Sequence, residues 1–370
     1  MKKYSGLFVL LVLFCVSVSA QKITQPTLTP SEPTASQTAL IQEGVKLHDA
    51  GRYDEAIQKY DQVLKENPDC TMALYEKALS YYQKKDFAKF TDVATQGIKY
   101  KSNELPQFYE MIGSLLDDLG KPQEAIQLYK DAIKILEDKS EYRRSVASIY
   151  YNLGVTYMRE KQYKEAREVL KKSVESNFAY PSPNYLLAVI FNGTSYKIPA
   201  IFAAARLITL EIQTQRSQNA AKIFLEAIKG NATKSANGDT NIILNLGAPT
   251  DEGDFGAAGL LLSISDVADN AKEKNGAEKN KKPQTEEEKF VDKIDSLISF
   301  VGADKEIKKT FVGRTYAPFM LELKARGYLK IFGYLVLQQS GNQTAEKWLI
   351  ENSEKTVEFI NWARTYQPAK

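Results

Sequence analysis

The fold is decided by the stretch Ala39–Pro68, ALIQEGVKLHDAGRYDEAIQKYDQVLKENP. Small and large apolar residues recur there at Gly44, Ala56, Tyr60 and Val63, with spacings of 12, 4 and 3, and Pro68 follows 5 residues later. Steps of three and four place side chains on one face of an α-helix. The stretch therefore predicts a helix, a turn and a second helix that pack against each other.

The same pattern returns four more times along the chain. A small residue recurs at steps of 34, 35, 41 and 34, at Gly44, Ala78, Gly113, Gly154 and Ala188. A large apolar residue stands three positions after each of them, at Leu47, Tyr81, Leu116, Tyr157 and Phe191. The two helices of a unit approach most closely at the small residue, and a larger side chain would force them apart. We therefore predict an all-α chain with about five stacked helical pairs.

The second helices also repeat a small residue at a fixed position. Four of them carry alanine on the packed face, at Ala56, Ala125, Ala166 and Ala200. The second unit departs from this pattern, since Phe90 replaces the alanine and Ala94 and Gly97 follow at positions that are usually larger. An exchange of large and small side chains that conserves volume explains the departure. The longer step of 41 residues contains no glycine or proline around Asp138–Val146, which predicts longer helices there.

These registers resemble the tetratricopeptide repeat, a helical pair of about 34 residues that stacks into a solenoid. The resemblance covers residues 36–214, and the solenoid domain is predicted to span residues 38–230. The last unit of such a stack needs a helix to cover its open face. The amphipathic stretch Ser217–Lys229 is predicted to be this capping helix.

The resemblance also implies a concave groove lined by fixed positions of the first helices. The residues predicted to bind a partner there are His48, Tyr75, Tyr82, Glu110, Asp117, Tyr151, Met158, Arg159, Tyr185 and Asn192. Further groove positions are Ile41, Val45, Leu79, Ser114, Val155 and Val189. Some members of the family clamp a terminal carboxylate with Lys and Asn of the first unit. Ile41 and Val45 stand at those places, so that ligand is not supported. An alternative is that part of this stripe packs against the C-terminal block.

Residues 1–20 have the pattern of a secretory signal peptide. Lys2 and Lys3 precede the short apolar run Leu7–Val16, and small residues lead up to Ala20. We expect cleavage near Ala20 and an exported protein, periplasmic or secreted. Residues 21–37 are rich in Thr, Pro and Ser and predict an extended tether.

The C-terminal part has a different texture. Residues 231–289 are predicted to be an irregular, low-complexity connection with one helix, from Ala257 to Asn270. A short apolar run, Ile242–Leu246, is predicted to be a lone strand or an extended segment. Residues 290–370 predict a helical domain whose long final helix contains both Trp348 and Trp362.

Composition narrows the possible chemistry. The net charge of +3 gives no reason to expect nucleic acid or an anionic membrane as a partner. His48 is the sole histidine, and Cys70 would be the sole cysteine after cleavage, so a His–Cys zinc cluster and a Cys–His nucleophile pair are excluded. A Ser-His-Asp triad would need His48 as its base. The triplet Asp254-Phe255-Gly256 stands without the other kinase motifs. We predict no cofactor, no metal and no enzymatic activity.

The leading hypothesis is an exported scaffold that holds a protein or peptide partner of the cell envelope in the groove of the solenoid. One alternative is a glycan- or nutrient-binding protein of the cell envelope that uses the groove tyrosines. A second alternative is an enzyme in the C-terminal half that uses carboxylates near Asp251. The sequence predicts no transmembrane segment in the mature chain.

Overall fold

The computed structural model describes residues 24–194, 196–229, 232–234, 240–242, 252–274 and 284–368. Those residues form two units, of which unit 1 extends to Asp138 and unit 2 begins at Lys139. Three helical pairs belong to unit 1, and two belong to unit 2 together with the C-terminal helices. The predicted signal peptide, residues 1–20, lies outside the described residues.

Unit 1 is built from three consecutive helical pairs. They are α1 (Ala35–Asp49) with α2 (Tyr53–Glu66), α3 (Thr71–Gln83) with α4 (Phe87–Gly97), and α5 (Leu105–Asp118) with α6 (Pro122–Leu136). The turn inside each pair contains one residue in the left-handed region, namely Gly51 (φ 74°), Lys85 (φ 60°) and Gly120 (φ 73°). A left-handed residue ends a helix and turns the chain sharply, and glycine adopts it most easily. The three turns therefore repeat one geometry, at a cost of about 1–2 kcal/mol where lysine replaces glycine.

The predicted close approach between paired helices is present in unit 1. A Cβ added to Gly44 would collide with the ring of Tyr60, and one added to Gly113 would collide with the ring of Tyr129. Tyr60 and Tyr129 are almost completely buried. Each glycine on a first helix therefore makes room for a tyrosine ring on the second helix.

The second pair exchanges large and small residues as the sequence predicts. Phe90 is fully buried at the alanine position and meets the ring of Tyr82 edge-on, with 5.4 Å between centroids. A Cβ on Gly97 would collide with the ring of Phe108 on α5. The small residue of α4 thus admits an aromatic ring from the next repeat.

Residues 21–37 are predicted to be an extended tether, but the part that the structure describes packs against the helices and includes the start of α1. Pro26 is buried, and the N–H groups of Thr27 and Leu28 both donate to the carbonyl of Lys99 at 3.0 Å. The N–H of Lys101 donates in return to the carbonyl of Leu28 at 2.9 Å. The chain leaving α4 presents unpaired backbone groups, and the approaching segment satisfies them.

The end of this segment also forms the cap of α1. Thr34 accepts a hydrogen bond from the N–H of Gln37 at 3.3 Å, and the Gln37 side chain accepts one from the N–H of Thr34 at 3.1 Å. This reciprocal arrangement satisfies two N–H groups at the start of a helix. We call residues 26–34 the docked segment.

Unit 2 begins with a 3₁₀ turn, Ser140–Tyr142, in the longer spacing between the third and fourth repeats. The fourth and fifth pairs are α7 (Arg143–Arg159) with α8 (Tyr163–Ser176), and α9 (Pro181–Asn192) with α10 (Lys197–Leu210). The predicted capping helix is α11 (Gln215–Ile228), which packs against α9 and α10. Gly154 of α7 again admits a large side chain, since an added Cβ would lie 2.8 Å from Leu170.

The described residues of the C-terminal part of unit 2 form helices and one pair of short strands. Strands β1 (Ala232–Lys234) and β2 (Thr240–Ile242) pair antiparallel, so Ile242, the first residue of the predicted extended run, lies in a strand, and the rest of that run lies outside the described residues. The helices that follow are α12 (Gly256–Lys274), α13 (Glu286–Ala303), α14 (Ala317–Ala325), α15 (Leu329–Gln339), α16 (Gln343–Glu351) and α17 (Ser353–Thr365). A 3₁₀ turn, Ile307–Lys309, and a π-helix, Val312–Tyr316, precede α14.

The prediction of one long final helix is wrong. Asn352 separates α16 from α17, so Trp348 and Trp362 lie in different helices. Asn352 ends α16 outside the helical conformation, with φ −112° and ψ 31°, and its side chain donates to the carbonyl of Trp348 at 2.8 Å. This local bond competes with continuation of the helix.

Helix α10 is the centre of unit 2, because every residue from Ile198 to Leu210 is buried. The guanidinium of Arg206 is fully buried there and stacks over the rings of Phe178 and Phe319, at 4.3 and 4.7 Å from their centroids. It donates to the carbonyl of Phe178 at 3.1 Å and to that of Ala363 on α17 at 2.7 Å. Burial lowers the pKa of Arg206 to about 9. Arg206 thus joins α10 to the C-terminal helices.

In the described ranges we find no helix long and apolar enough to cross a lipid bilayer.

Candidate functional site

The first helices of unit 1 carry six of the predicted groove residues. They are His48 on α1, Tyr75, Leu79 and Tyr82 on α3, and Glu110 and Asp117 on α5. All six side chains are partly exposed. We call the side of α1, α3 and α5 that carries these positions the inner face of unit 1. Ile41, by contrast, is buried in the core between α1 and α2.

His48 connects α1 to α3. Its Nδ1 atom lies 2.8 Å from the Oγ atom of Ser80, and its ring meets that of Tyr53 edge-on at 5.1 Å. Burial lowers the pKa of His48, and nearby Asp49 opposes this shift, so the imidazole is neutral at pH 7. Ser80 is fully buried. A histidine beside a serine is one element of nucleophilic catalysis, but a buried hydroxyl has no access to a substrate.

Two further carboxylates, Asp49 on α1 and Glu76 on α3, belong to this part of unit 1. Burial raises the pKa of Glu76, and the negative charge of Asp49 raises it further. The same two carboxylates act on the hydroxyl of Tyr60, whose pKa is raised first by burial and then by Glu76 and Asp49. The negative charges of Glu76 and Asp49 therefore act on the same part of unit 1.

Two of the three tyrosines of α3, Tyr75 and Tyr82, are held by other aromatic rings. Tyr75 meets Phe108 edge-on, with 5.9 Å between centroids. Tyr82 meets Phe87 and Phe90 edge-on at 5.9 and 5.4 Å. The hydroxyl of Tyr82 donates to Asp118 Oδ2 at 3.1 Å, which ties α3 to α5. These rings are fixed contact surfaces with polar tips.

The third repeat continues the acidic character of the inner face. Burial raises the pKa of Tyr129, and the carboxylates of Asp117, Glu110 and Asp118 raise it further, against a hydrogen bond from Ser114. Ser114 lies 3.4 Å from the hydroxyl of that tyrosine. The predicted residues Glu110 and Asp117 are thus brought together near one phenol.

In unit 2, the first helices α7 and α9 carry the remaining predicted residues. Tyr151 meets Tyr180 edge-on at 5.5 Å, and Tyr185 lies under the guanidinium of Arg216 at 5.7 Å. Met158 is half-buried, whereas Arg159 and Asn192 are exposed. Val189, a further groove position, is 37% exposed although it is apolar.

The C-terminal helices of unit 2 lie against the other side of the fifth repeat. Helices α15 and α17 contact α10, and α15 also contacts α11. Tyr316 reaches α9, where its hydroxyl donates to Asn184 at 2.8 Å, but Asn184 is a buried residue outside the predicted groove positions. Among the described residues, Val189 and Asn192 remain exposed.

Carboxylate chemistry in the C-terminal half has one buried candidate in the described ranges. Glu252 is 1% exposed at its side chain, and its Oε1 atom lies 2.9 Å from Arg167 Nε and 2.8 Å from Lys171 Nζ. It borders a cavity of about 380 Å³ that is lined by Glu168, Lys171, Lys172, Glu175, Glu252, Gly253, Lys309, Thr310, Phe311 and Arg314. Two adjacent cations hold this carboxylate in a buried ion pair, which favours a structural role.

Asp254 of the kinase-like triplet serves the start of α12, because its Oδ1 atom accepts the N–H of Gly256 at 2.9 Å. Asp251 lies outside the described residues. Across the ranges that are described, we find no cluster of three or more His, Cys, Asp or Glu side chains able to hold a metal ion.

Sequence reasoning missed Asp49, Glu76 and Tyr60 as members of the site. Asp49 directly follows His48, and Glu76 directly follows Tyr75, so each stands one position after a residue that was selected. Tyr60 belongs to a second helix and was interpreted as core. Its ring is core, but the pKa of its hydroxyl is raised by burial and then by the charges of Glu76 and Asp49.

Comparison with known protein families matches the helical pairs described above. Models of the tetratricopeptide repeat match residues 43–95, 106–138 and 147–180. These parts of the chain are tetratricopeptide repeats. Proteins of this family are in general scaffolds for protein interaction, and the tetratricopeptide repeats support that role for this chain.

Two curated relatives share the tetratricopeptide repeats. Tetratricopeptide repeat protein 13 of Homo sapiens is 25% identical over 184 residues, which are 49% of this chain and 19% of the relative. DnaJ homolog subfamily C member 3 of Gallus gallus is 28% identical over 149 residues, or 36% of this chain and 29% of the relative. The chain thus spans less than a third of either protein. The solved structure of Pseudomonas aeruginosa pilF is similar with a TM-score of 0.43 and 18% identity, covering 52% of this chain and 85% of that one.

Proposed function

We propose that this chain is an exported scaffold protein whose tetratricopeptide repeats hold a segment of a protein partner on their inner faces, without catalysis. The observation that carries the proposal is the position of the C-terminal helices. They cover α10 and α11, while Val189 and Asn192 on α9 stay exposed. An exposed apolar side chain beside a polar one at the groove positions of a repeat supports a binding surface.

The tyrosines of the inner faces favour a peptide over a sugar as the ligand. Tyr75 and Tyr82 each use an edge or face against a neighbouring phenylalanine, and Tyr185 lies under Arg216. Stacking on a sugar ring requires a free aromatic face. Fixed rings with polar tips instead offer contact area at low entropic cost, as protein interfaces do.

The proposed lack of catalysis is supported by the surroundings of Ser80 and Glu252, the two side chains considered for a catalytic role. Ser80 beside His48 is fully buried, and Glu252 is held by Arg167 and Lys171. Neither presents a reactive atom to a substrate. Incubating the purified protein with general esterase, peptidase and glycosidase substrates tests this, and turnover that is lost in His48→Ala or Glu252→Gln would contradict it.

Export is supported by the signal pattern of residues 1–20. The test is mass spectrometry of the protein recovered from its native source. We expect an amino terminus at or near Gln21 in the envelope or secreted fraction. A chain that retains residues 1–20 in the cytoplasmic fraction would contradict this part of the proposal.

Partner binding is tested by photo-crosslinking in the source cells. A benzoylphenylalanine is placed at Tyr82 on the inner face of unit 1, at Tyr151 on α7, or at Tyr163 at the start of α8. Tyr163 is 51% exposed and lies on a second helix, so it is the control. We expect one identified protein to crosslink from the first two positions and not from the control.

The crosslinked protein is then purified and its affinity measured directly by titration calorimetry. Binding that is weakened by Tyr82→Ala but unaffected by Tyr163→Ala supports the proposal. Equal crosslinking from all three positions, or no saturable binding of the purified protein, would contradict it.

A further inference from the structure

A lysine ammonium lies between two aromatic rings where α15 packs against α16. The ring centroids of Tyr334 on α15 and Trp348 on α16 are 4.6 Å apart, and the ring planes make an angle of 51°. The Nζ atom of Lys330 lies over both rings, 5.4 Å from the centroid of Tyr334 and 5.1 Å from that of Trp348. A cation within roughly 6 Å of an aromatic centroid is attracted by the negative face of the ring. We call Tyr334 and Trp348 the aromatic cleft.

The two walls of the aromatic cleft are fixed by the fold. Every residue of α15 from Ile331 to Val336 is buried, which holds Tyr334 in place. Asn342 is the N-cap of α16, and its Nδ2 atom donates to Glu287 Oε1 on α13 at 3.1 Å. This bond ties the start of α16 to α13. The rings are therefore set in place before any ligand arrives.

The side chain of Lys330 is the movable part of this arrangement. In the described part of the chain it forms no salt bridge, whereas Lys324 pairs with Asp295 at 2.5 Å. Its ammonium is carried on a flexible four-carbon stem. Tyr334 is 4% exposed while the lysine lies over its ring, and both Lys330 and Trp348 are half-buried. A swing of the lysine side chain into solvent therefore uncovers the two rings.

Negative charge at the start of α13 adds to the attraction for a cation. The first turn of this helix carries Glu286, Glu287 and Glu288. Burial raises the pKa of Tyr334, and the charges of Glu287 and Glu288 raise it further, against a hydrogen bond from Thr285. The carboxylates that act on the hydroxyl of this ring also attract a positive group placed over its face.

We propose that the aromatic cleft binds the quaternary ammonium group of a small solute, and that Lys330 fills the cleft until this ligand displaces it. A quaternary ammonium has no N–H group, so a protein recognises it through aromatic faces. The lysine ammonium is strongly hydrated and must give up water to remain between the rings. None of the predicted groove positions is on α15 or α16, so this binding is separate from the proposed function.

Choline binding is measured on the full-length protein without residues 1–20, by NMR of the indole N–H signals of its two tryptophans. Trp348→Phe assigns the two signals. Two further solutes are compared with choline. One is its neutral isostere, in which a tert-butyl group replaces the trimethylammonium, and the other is ethanolamine, which has the charge without the methyl groups. We expect choline to shift the Trp348 signal saturably, with a Kd about tenfold lower than that of either analogue, or about 1.4 kcal/mol. The Trp362 signal should not move.

Two variants that each remove one positive charge test the role of Lys330. Lys330→Met removes the competing ammonium and keeps a flexible stem, so we expect the Kd for choline to fall at least about threefold. Arg326→Met is the matched control. Its guanidinium lies 5.4 Å from the ring centroid of Trp362, outside the aromatic cleft, and we expect no change in the Kd for choline. Circular dichroism shows whether each variant is folded.

Four results would overturn this assignment. The Trp348 signal does not respond to choline, or the neutral isostere binds as tightly, in which case apolar contact alone is responsible. Both tryptophan signals shift together, which means that choline associates with any aromatic ring. The Kd for choline falls equally in Lys330→Met and Arg326→Met, or in neither, which removes Lys330 as the internal occupant. The comparison of the three solutes on the unmodified protein does not depend on either variant.

Discussion

At the scale of single residues, three repeats depend on a glycine that makes space for a large side chain. Gly44 faces Tyr60, Gly113 faces Tyr129, and Gly154 faces Leu170. The same contact is made with a ring in two repeats and with a branched aliphatic chain in a third. The size of the second-helix residue therefore sets how much room the first helix must leave.

This pairing predicts the effect of Gly113→Ala. The added Cβ collides with the buried ring of Tyr129, so we expect destabilisation of about 1–3 kcal/mol, measured as a lower urea midpoint. Combined with Tyr129→Leu, which copies the fourth repeat, the cost should be smaller than the sum of the two single costs. Additive costs would mean that the two side chains do not meet.

Gly193→Ala provides the control for that series. A Cβ there would meet only the carbonyl oxygens of Val189 and Ile190, at 3.5 and 3.7 Å, and the backbone is not left-handed. We expect the urea midpoint to change little or to rise slightly, since alanine loses less conformational entropy than glycine on folding. A loss as large as that of Gly113→Ala would point to a general intolerance of substitution.

Glu76 predicts a pH-dependent effect on stability. Its folded-state pKa is raised above its unfolded value of 4.5, so its contribution is favourable at low pH and is lost as the pH rises through the folded-state pKa. Glu76→Gln removes this loss, and we expect a rise in Tm on the order of 1–2 °C at pH 7 and no difference near pH 4. Differential scanning calorimetry at the two pH values measures it.

Glu43→Gln is the matched control for Glu76→Gln, because Glu43 pairs with Lys59 and should give no rise at pH 7. The same offset for Glu76→Gln at both pH values would show that charge burial is not the cause. The sequence alone did not predict the role of Glu76. Glu76 stands between the groove positions and the core positions of its repeat. Only the structure shows that the charge of Asp49 acts on it and raises its pKa.

At the scale of elements, α10 combines complete burial with a buried cation. Arg206 is held by two carbonyls and two aromatic faces without a carboxylate among its hydrogen bonds. A buried charge of this kind can often be replaced by an apolar side chain of similar volume at little cost, whereas truncation leaves a cavity.

We therefore expect Arg206→Ala to destabilise unit 2 by about 3 kcal/mol or more, and Arg206→Met to cost at least about 1 kcal/mol less. Urea unfolding followed by tryptophan fluorescence measures both, because Trp362 on α17 contacts Phe319. If Arg206→Met is as damaging as Arg206→Ala, the bonds to the carbonyls of Phe178 and Ala363 outweigh the volume.

The docked segment makes a second prediction at this scale. Leu28→Pro removes an N–H that donates to Lys99, so we expect faster proteolysis near residue 28 and a loss of about 1 kcal/mol from this hydrogen bond. Thr29→Pro is the control, because the N–H of Thr29 donates no hydrogen bond in the described structure. Similar proteolysis of both variants would indicate that the segment is not held by this bond.

The elements that sequence could predict are those whose packing repeats. The pairs from α1 to α10 follow from small residues at fixed steps, and the Phe90–Gly97 exchange follows from conservation of volume. The docked segment could not be predicted, because Pro26 and its neighbours are held by backbone groups of residues 99–101. The break at Asn352 was missed because the apolar period continues through it, and one side-chain bond decides the end of α16.

At the scale of the whole molecule, the net charge is positive, whereas the inner face of unit 1 carries negative charge. The chain carries +3, yet the inner face of unit 1 gathers Asp49, Glu76, Glu110, Asp117 and Asp118. Net charge alone predicts repulsion of a basic peptide. Attraction between surface charges is screened over roughly 10 Å at 0.1 M salt, so we expect the affinity of unit 1 for a basic segment of the partner to fall as NaCl is raised.

Fluorescence anisotropy with a labelled basic segment of the crosslinked partner measures that dependence. Affinity that is constant or increases with salt would show that apolar contact, and not the carboxylates, governs binding. The composition did not predict the acidic inner face, because totals of 49 basic and 46 acidic residues do not show where the charges lie. The division at Asp138 was also not predicted, because the repeat register continues across it.

Cys70 gives unit 1 a built-in reporter of its own opening. Its thiol is fully buried at the start of α3, and burial raises its pKa, so it is protected in two ways from alkylation. In the chain that lacks residues 1–20 there is no other sulfhydryl, so the labelling rate at that one atom measures how often the first two repeats separate. A ligand seated across α1 and α3 should slow this labelling in proportion to its occupancy, which converts a simple thiol assay into a binding measurement that needs no label on the ligand.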